Sequence, residues 1–197
     1  MDRIVPVVVI NDISEVQPKL GALSRGGINT AEITFRTACA ETAIREAIKM
    51  FPEMNVGAGT VVNAEQCASA ISAGAKFIVS PGFSKAVATI CKDMNIPYYP
   101  GCVTPTEIMQ AMDEGIYVVK FFPANVYGGL KALKALSAPF TKIKFIPTGG
   151  VDLTNLKEFL EFDRVYAVGG SFMMKGDIEE VSRQTMEIVN SVDTKEN

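Results

Sequence analysis

The chain contains no histidine. That absence excludes a Ser-His-Asp triad, a Cys-His pair and any histidine-ligated metal site. Acid–base chemistry must then fall to glutamate, aspartate, lysine, tyrosine or water. Cysteine is scarce: the four present, Cys39, Cys67, Cys91 and Cys102, are widely and unevenly spaced, with no CxxC pair. Such usage fits free thiols in a reducing cytoplasm better than a disulfide framework or a zinc site. Runs of lysine and arginine are missing, and the net charge is −3. General electrostatic binding to nucleic acid is therefore not expected. No apolar stretch approaches the length of a membrane span. The N-terminal run Ile4-Val5-Pro6-Val7-Val8-Val9-Ile10 is too short and too β-branched for a signal peptide, and no small-residue cleavage pattern follows it.

What is present is regular. A chain of 197 residues, 48% of them apolar, suits one domain spanning 1–197 with a sizeable core. Short β-branched runs alternate with stretches of helical period. Strands are expected at Ile4–Ile10, Thr30–Phe35, Asn55–Ala58, Phe77–Ser80, Pro97–Tyr99, Val118–Phe122, Lys144–Pro147 and Val165–Val168. Between them, Val16, Leu20 and Leu23, then Val87, Ile90, Cys91 and Met94, then Leu153, Leu156 and Leu160, recur at helical spacing. Helix starts are signalled by Asn11, Asp12 and Ser14, by Asn63, and by Thr104-Pro105-Thr106-Glu107. Stops are signalled by Gly26-Gly27, Gly74 and Gly115. Eight strands alternating with eight helices imply parallel pairing, and eight such units close most naturally into a (β/α)8 TIM barrel of the α/β class. A doubly wound open sheet is the competitor. It needs fewer strands and a single glycine-rich turn, whereas here such turns recur after several strands.

One stretch contradicts its surroundings. Lys120 interrupts Tyr117-Val118-Val119-Lys120-Phe121-Phe122-Pro123, otherwise apolar or aromatic and read as a buried strand. An ammonium taken out of water tends to shed its charge, and a neutral lysine forms a Schiff base with a ketone. The alternative is a lysine at a strand end that snorkels to water. Strand period groups Lys120 with Val118 and Phe122, and Glu32 with Thr34 and Arg36, opposite Ile33 and Phe35. If Ile33 and Phe35 meet the helices, Glu32, Arg36 and Lys120 share the barrel axis. They form either a catalytic group or an internal salt-bridged cluster.

In a barrel, function gathers at the carboxyl ends of the strands. Gly57-Ala58-Gly59-Thr60 ends the third strand, as a close approach for a ligand or as a tight turn. Thr148-Gly149-Gly150 and Gly169-Gly170-Ser171 end the seventh and eighth, where barrels often bind phosphate through backbone N–H groups. A nucleophilic amine, a carboxylate, a guanidinium fork and a phosphate cradle together describe a phosphorylated keto acid attacked at its ketone by lysine.

These residues resemble, in order, the motifs of the KHG/KDPG aldolase family (2-keto-3-deoxy-6-phosphogluconate and 4-hydroxy-2-oxoglutarate aldolases). The resemblance rests on Glu32-Ile33-Thr34-Phe35-Arg36-Thr37, Gly57-Ala58-Gly59-Thr60-Val61, Ser80-Pro81-Gly82, Pro100-Gly101, Lys120-Phe121-Phe122-Pro123-Ala124, Pro147-Thr148-Gly149-Gly150 and Gly169-Gly170-Ser171. It implies a class I aldolase on a (β/α)8 barrel, commonly a homotrimer, with no metal and no cofactor, serving the Entner-Doudoroff pathway. By the same resemblance Lys120 forms the Schiff base with the substrate's C2 and Glu32 moves protons. Arg36 and Thr60 hold the carboxylate end, Pro81 and Phe122 pack near the pyruvyl group, and Thr148 meets the hydroxyls. Gly149, Gly150, Gly169, Gly170 and Ser171 take the phosphate. The products are pyruvate and glyceraldehyde 3-phosphate, with 4-hydroxy-2-oxoglutarate a second substrate. Thr37 and Thr148 resemble the phosphogluconate type more than the phosphogalactonate type.

Two departures stand out. Family members usually carry an extra N-terminal segment over the barrel bottom, whereas this chain begins almost directly at strand one. The bottom is then open, plugged by side chains, or covered by a neighbour. Asn125 stands where some members have glutamate, which blurs the subgroup but not the lysine. The alternatives are a phosphate-sugar isomerase or synthase sharing the phosphate turns, and a non-catalytic barrel that binds a phosphorylated keto acid.

Overall fold

The computed structural model describes residues 2–193. Among these, eight strands alternate with eight α-helices. They are β1 (Ile4–Val8), α1 (Val16–Arg25), β2 (Thr30–Thr34), α2 (Ala40–Met50), β3 (Asn55–Gly59), α3 (Ala64–Ser72), β4 (Ile78–Val79), α4 (Lys85–Asp93), β5 (Tyr98–Tyr99) and α5 (Pro105–Asp113). There follow β6 (Val118–Phe121), α6 (Gly129–Ser137), β7 (Lys144–Pro147), α7 (Leu156–Glu161), β8 (Val168–Gly170) and α8 (Ile178–Asp193). Every ladder is parallel. One sheet runs β5-β4-β3-β2-β1-β8 and a second pairs β6 with β7. Single bridges join them: Gly101 to Lys120 on one side, Phe145 to Val165 and Thr148 to Gly169 on the other. The curled sheet is thus a closed (β/α)8 barrel, as the alternation of strands and helices predicts.

Helices α3, α4 and α5 begin where a side chain, Asn63, Ser84 or Thr104, satisfies N–H groups that the first turn leaves bare. Asn63 accepts from Gln66 N at 2.8 Å to open α3. Thr104 and Glu107 form a reciprocal capping box on α5, with Pro105 in the first turn. Asp12 caps a short 3-10 turn, Ile13–Glu15, ahead of α1. Gly74 and Gly115 close α3 and α5 with φ of +97° and +78°, a backbone that only glycine adopts cheaply.

Strand parity divides the core into two shells. Ile33, Val56, Ala58 and Ile78 face outward onto α1, α2 and α3, where Leu20, Leu23, Ile44 and Cys67 are buried. Val119, Phe121 and Phe145 do the same on the other side against Ile108, Leu133 and Leu160. The barrel axis is filled by Val5, Phe77, Val79, Ile146 and Ala167, with Tyr99, Val118 and Tyr166 against them. Side chains therefore plug the barrel below Lys120. A cavity of about 880 Å³ lies at the amino ends of the strands, lined by Arg3, Ile28, Leu156, Leu160, Val189 and others. It is larger than the cavity at the opposite end, and its Arg3 donates to the carbonyls of Leu160 and Val165.

Local pattern misplaces some details. Leu153 is not on the buried face of α7: it precedes the helix and is 53% exposed. Met94 is likewise exposed, because it caps α4 instead of continuing it. The eighth strand lies at Val168–Gly170 rather than Val165–Val168. Its ladder is set by β1, pairing Ile4 with Val168 through Pro6 with Gly170, while Val165 makes only a bridge to Phe145.

Candidate active site

A polar cavity of about 470 Å³ opens at the carboxyl ends of the strands. At its floor Lys120 projects inward from β6, its backbone held by its N–H to Pro100 O at 2.8 Å and by Cys102 N–H to Lys120 O at 2.9 Å. Its Nζ donates to Glu32 Oε1 at 3.3 Å, and the two side chains are 7% and 3% exposed. Lys120 is therefore buried and paired, not snorkelling. The Phe122 ring lies 5.2 Å from Nζ and offers its electron-rich face to the amine. Glu32 owes its position to a missing atom: a Cβ at Gly59 would collide with the Glu32 carboxylate. The glycine thus makes room for an acid rather than for a turn.

Arg36 lies just beyond β2 on the cavity wall. Among the described residues it has no hydrogen-bond or ion-pair partner, so its fork of N–H donors faces the cavity unspent. Thr60 also lines the wall, and its φ of +57° is rare for a β-branched residue. Such outliers cost energy and cluster at functional sites. Pro81 completes this side; Gly101 passes so close to the Pro81 carbonyl that a Cβ there would clash. Thr37 is elsewhere: its hydroxyl donates to Ile10 O at 2.7 Å.

Opposite, Thr148, Gly149, Gly150, Gly170 and Ser171 line the cavity. Gly149 and Gly150 take φ of +87° and +77°. Asn125 packs its side chain onto Gly150, and its N–H donates to Gly149 O at 3.1 Å. Gly169 does not line the cavity. It lies behind Thr148, whose hydroxyl occupies the space a Cβ would need. Lining residues that the motifs did not single out are Val7, Val151, Asp152, Phe172 and Lys175. Strand parity places Val7 with Val5 on the inner face of β1, so period could have found it. Val151, Asp152 and Lys175 sit on loops, where no period exists, and Phe172 opens a 3-10 turn, Phe172–Met174, too short to show one.

The charges are unevenly held. Asp152 lies below the usual carboxylate range, because the Thr154 hydroxyl and N–H donate to it at 2.5 and 2.8 Å, with Lys175 adding a favourable charge. Deeper in the barrel, burial pushes the Tyr99 phenol up to about 12, with Tyr166 beside it adding to the shift. No group of three or more acidic or cysteine side chains suited to a metal occurs among the described residues. Cys67 and Cys91 are buried with their sulfurs 3.6 Å apart between α3 and α4. No described helix is long and apolar enough to cross a membrane.

The arrangement is a buried amine beside a proton acceptor, below an open guanidinium and a glycine-rich rim. Known proteins resemble this chain over most of its length. The family model described as KDPG and KHG aldolase matches residues 1–189. The 2-dehydro-3-deoxy-phosphogluconate aldolase of Treponema pallidum is 42% identical over 196 residues, covering 95% of this chain and 93% of that one. The KHG/KDPG aldolase of Escherichia coli K12 is 41% identical, covering 88% and 82%. A crystal structure of KDPG aldolase from Legionella pneumophila, with pyruvate captured as a covalent carbinolamine, superposes with a TM-score of 0.91 at 34% identity, covering 94% and 93%. The chain belongs to the KDPG and KHG aldolase family.

Proposed function

We propose that this protein is a class I aldolase that cleaves 2-keto-3-deoxy-6-phosphogluconate to pyruvate and glyceraldehyde 3-phosphate. The observation that carries the proposal is the 3.3 Å contact between Lys120 Nζ and Glu32 Oε1, buried at the floor of a cavity rimmed by glycine turns. In this mechanism Glu32 takes a proton from the ammonium, and the amine attacks the C2 ketone to give a carbinolamine. Loss of water leaves an iminium. A base, Glu32 directly or through water, removes the C4 hydroxyl proton, C3–C4 breaks, and its electron pair passes into the iminium to give an enamine. Glyceraldehyde 3-phosphate leaves, C3 is protonated, and hydrolysis releases pyruvate and Lys120. The iminium is the electron sink, so the chemistry calls for no metal.

Arg36 and Thr60 hold the substrate carboxylate, with Pro81 and Phe122 beside the pyruvyl carbons. Thr148 meets the hydroxyls, and the backbone at Gly149, Gly150 and Gly170, with Ser171, meets the phosphate. Gly169 contributes by leaving room for Thr148. The same site accepts 4-hydroxy-2-oxoglutarate as a second substrate. The protein acts as one catalytic domain, as a homotrimer in the cytoplasm, without a cofactor. An isomerase or synthase, or a binding barrel without chemistry, would leave the buried Lys120–Glu32 pair unused. The covalent pyruvate adduct of the Legionella relative supports the lysine route. Borohydride added with pyruvate tests it: one reduced pyruvyl group should appear at Lys120 with irreversible inactivation. An unmodified Lys120 peptide, or labelling elsewhere, would sink it.

A further inference from the structure

Three cations and two carboxylates line the cavity. Lys120 and Glu32 are paired at the floor, and Arg36 belongs to the β2 rim. Lys175 and Asp152 are left beside the two glycine turns, beyond β8 and β7. We propose, resting on the aldolase assignment, that Lys175 is a specificity-determining residue: its ammonium makes the distal end select a phosphorylated substrate over an unphosphorylated one.

The glycine turns and Ser171 supply N–H and O–H dipoles but no full charge. A phosphate monoester brings about −1.5 to −2 charges at neutral pH. Asp152 already places a carboxylate at this end, tied to the Thr154 hydroxyl and N–H. Unopposed, that charge would repel the phosphate. Lys175 is the cation that offsets it, and no carboxylate among the described residues lies within ion-pairing distance of its amine. The backbone around it is anchored. Met174 N–H donates to Ser171 O at 3.0 Å, Met173 is buried just before it, and Gly176 turns just after it at φ +93° against the Glu180 carboxylate. The ammonium thus projects from an anchored stretch of backbone, and a phosphate there gains a charge-assisted bond.

The test is condensation with pyruvate, using D-glyceraldehyde 3-phosphate against D-glyceraldehyde. In Lys175→Met the KM for the phosphorylated aldehyde should rise about tenfold more than that for the unphosphorylated one. Lys175→Arg should restore most of the difference, and 0.5 M salt should shrink it. Asp152→Asn should shift the ratio the opposite way. Equal changes for both aldehydes, or none, overturn the role of Lys175 while leaving the aldolase intact. A wild-type protein that condenses neither aldehyde and forms no borohydride-trapped adduct overturns the aldolase assignment itself.

Discussion

The Lys120 ammonium meets the Glu32 carboxylate at 3.3 Å across 88 residues of sequence, with both side chains almost wholly withdrawn from water. Desolvating two charges costs several kcal/mol per ion, and their attraction repays it only in good geometry. A fold built for stability alone has cheaper ways to fill this space. The pair instead holds an amine beside a group able to take its proton.

Glu32→Gln keeps the size and the hydrogen-bonding capacity of the side chain but removes the base. Turnover should fall by roughly 10²–10⁴-fold, while pyruvate still enters the site and is trapped by borohydride at a reduced rate. Steady-state kinetics on the phosphorylated keto acid checks this. Unchanged kcat would remove Glu32 from the proton path.

Gly59→Ala acts on the same pair from behind. The new Cβ collides with the Glu32 carboxylate, which must swing away from Lys120. Overpacking of this kind costs about 1–3 kcal/mol. We expect a loss of kcat approaching that of Glu32→Gln, together with a lowered urea midpoint. A variant with full activity would show that the carboxylate's position over Gly59 does not matter.

The capping box of α5 predicts an acid-sensitive stability term. Burial alone would raise the Glu107 carboxyl, but N–H donation from Val103 and Thr104, each at 2.9 Å, and the Thr104 hydroxyl at 2.8 Å outweigh it. Its value in the folded protein is therefore below 4.5. The contribution is complete above that value and is lost as pH falls through the lower folded one. Thr104→Ala should cost about 1 kcal/mol at pH 7. Urea melts of Glu107→Gln should show a shallower fall below pH 4.5 than wild type, and parallel curves would contradict the cap.

Phe77 plugs the barrel under the site. It is 2% exposed, lies over Gly57, and its ring centroid is 6.0 Å from that of Tyr99. Phe77→Ala should destabilise by about 3–5 kcal/mol, read by chemical denaturation. A cost below 1 kcal/mol would mean that the interior collapses to refill the space.

Much of this was legible in the chain. The alternation of β-branched runs with helical periods anticipated all eight strands and their parallel pairing. Asn63 and Thr104-Pro105-Thr106-Glu107 marked the helix starts at which they act. Parity on β2 separated Glu32 from Ile33, and parity on β6 separated Lys120 from Phe121, so the shared inner face followed from a period of two. Met94 and Leu153 misled because helical spacing does not report where a helix ends. The start of β8 misled because a ladder belongs to two strands, and β1 chooses which residues of its neighbour pair.

The order of residues determined the secondary elements, the inward faces and the list of chemically able side chains, since each depends on neighbours a few positions apart. Tertiary structure decided the rest. Closure through the bridges at Lys120 and Gly169 brings β2 and β6 across the axis, and only then do Glu32 and Lys120 meet. Likewise the Glu32 carboxylate lies against Gly59, which decides between the two readings of that turn, and β7 and β8 bring Lys175 and Asp152 to the same cavity rim. Contacts between side chains far apart in sequence depend on how the barrel closes, and no local period encodes that.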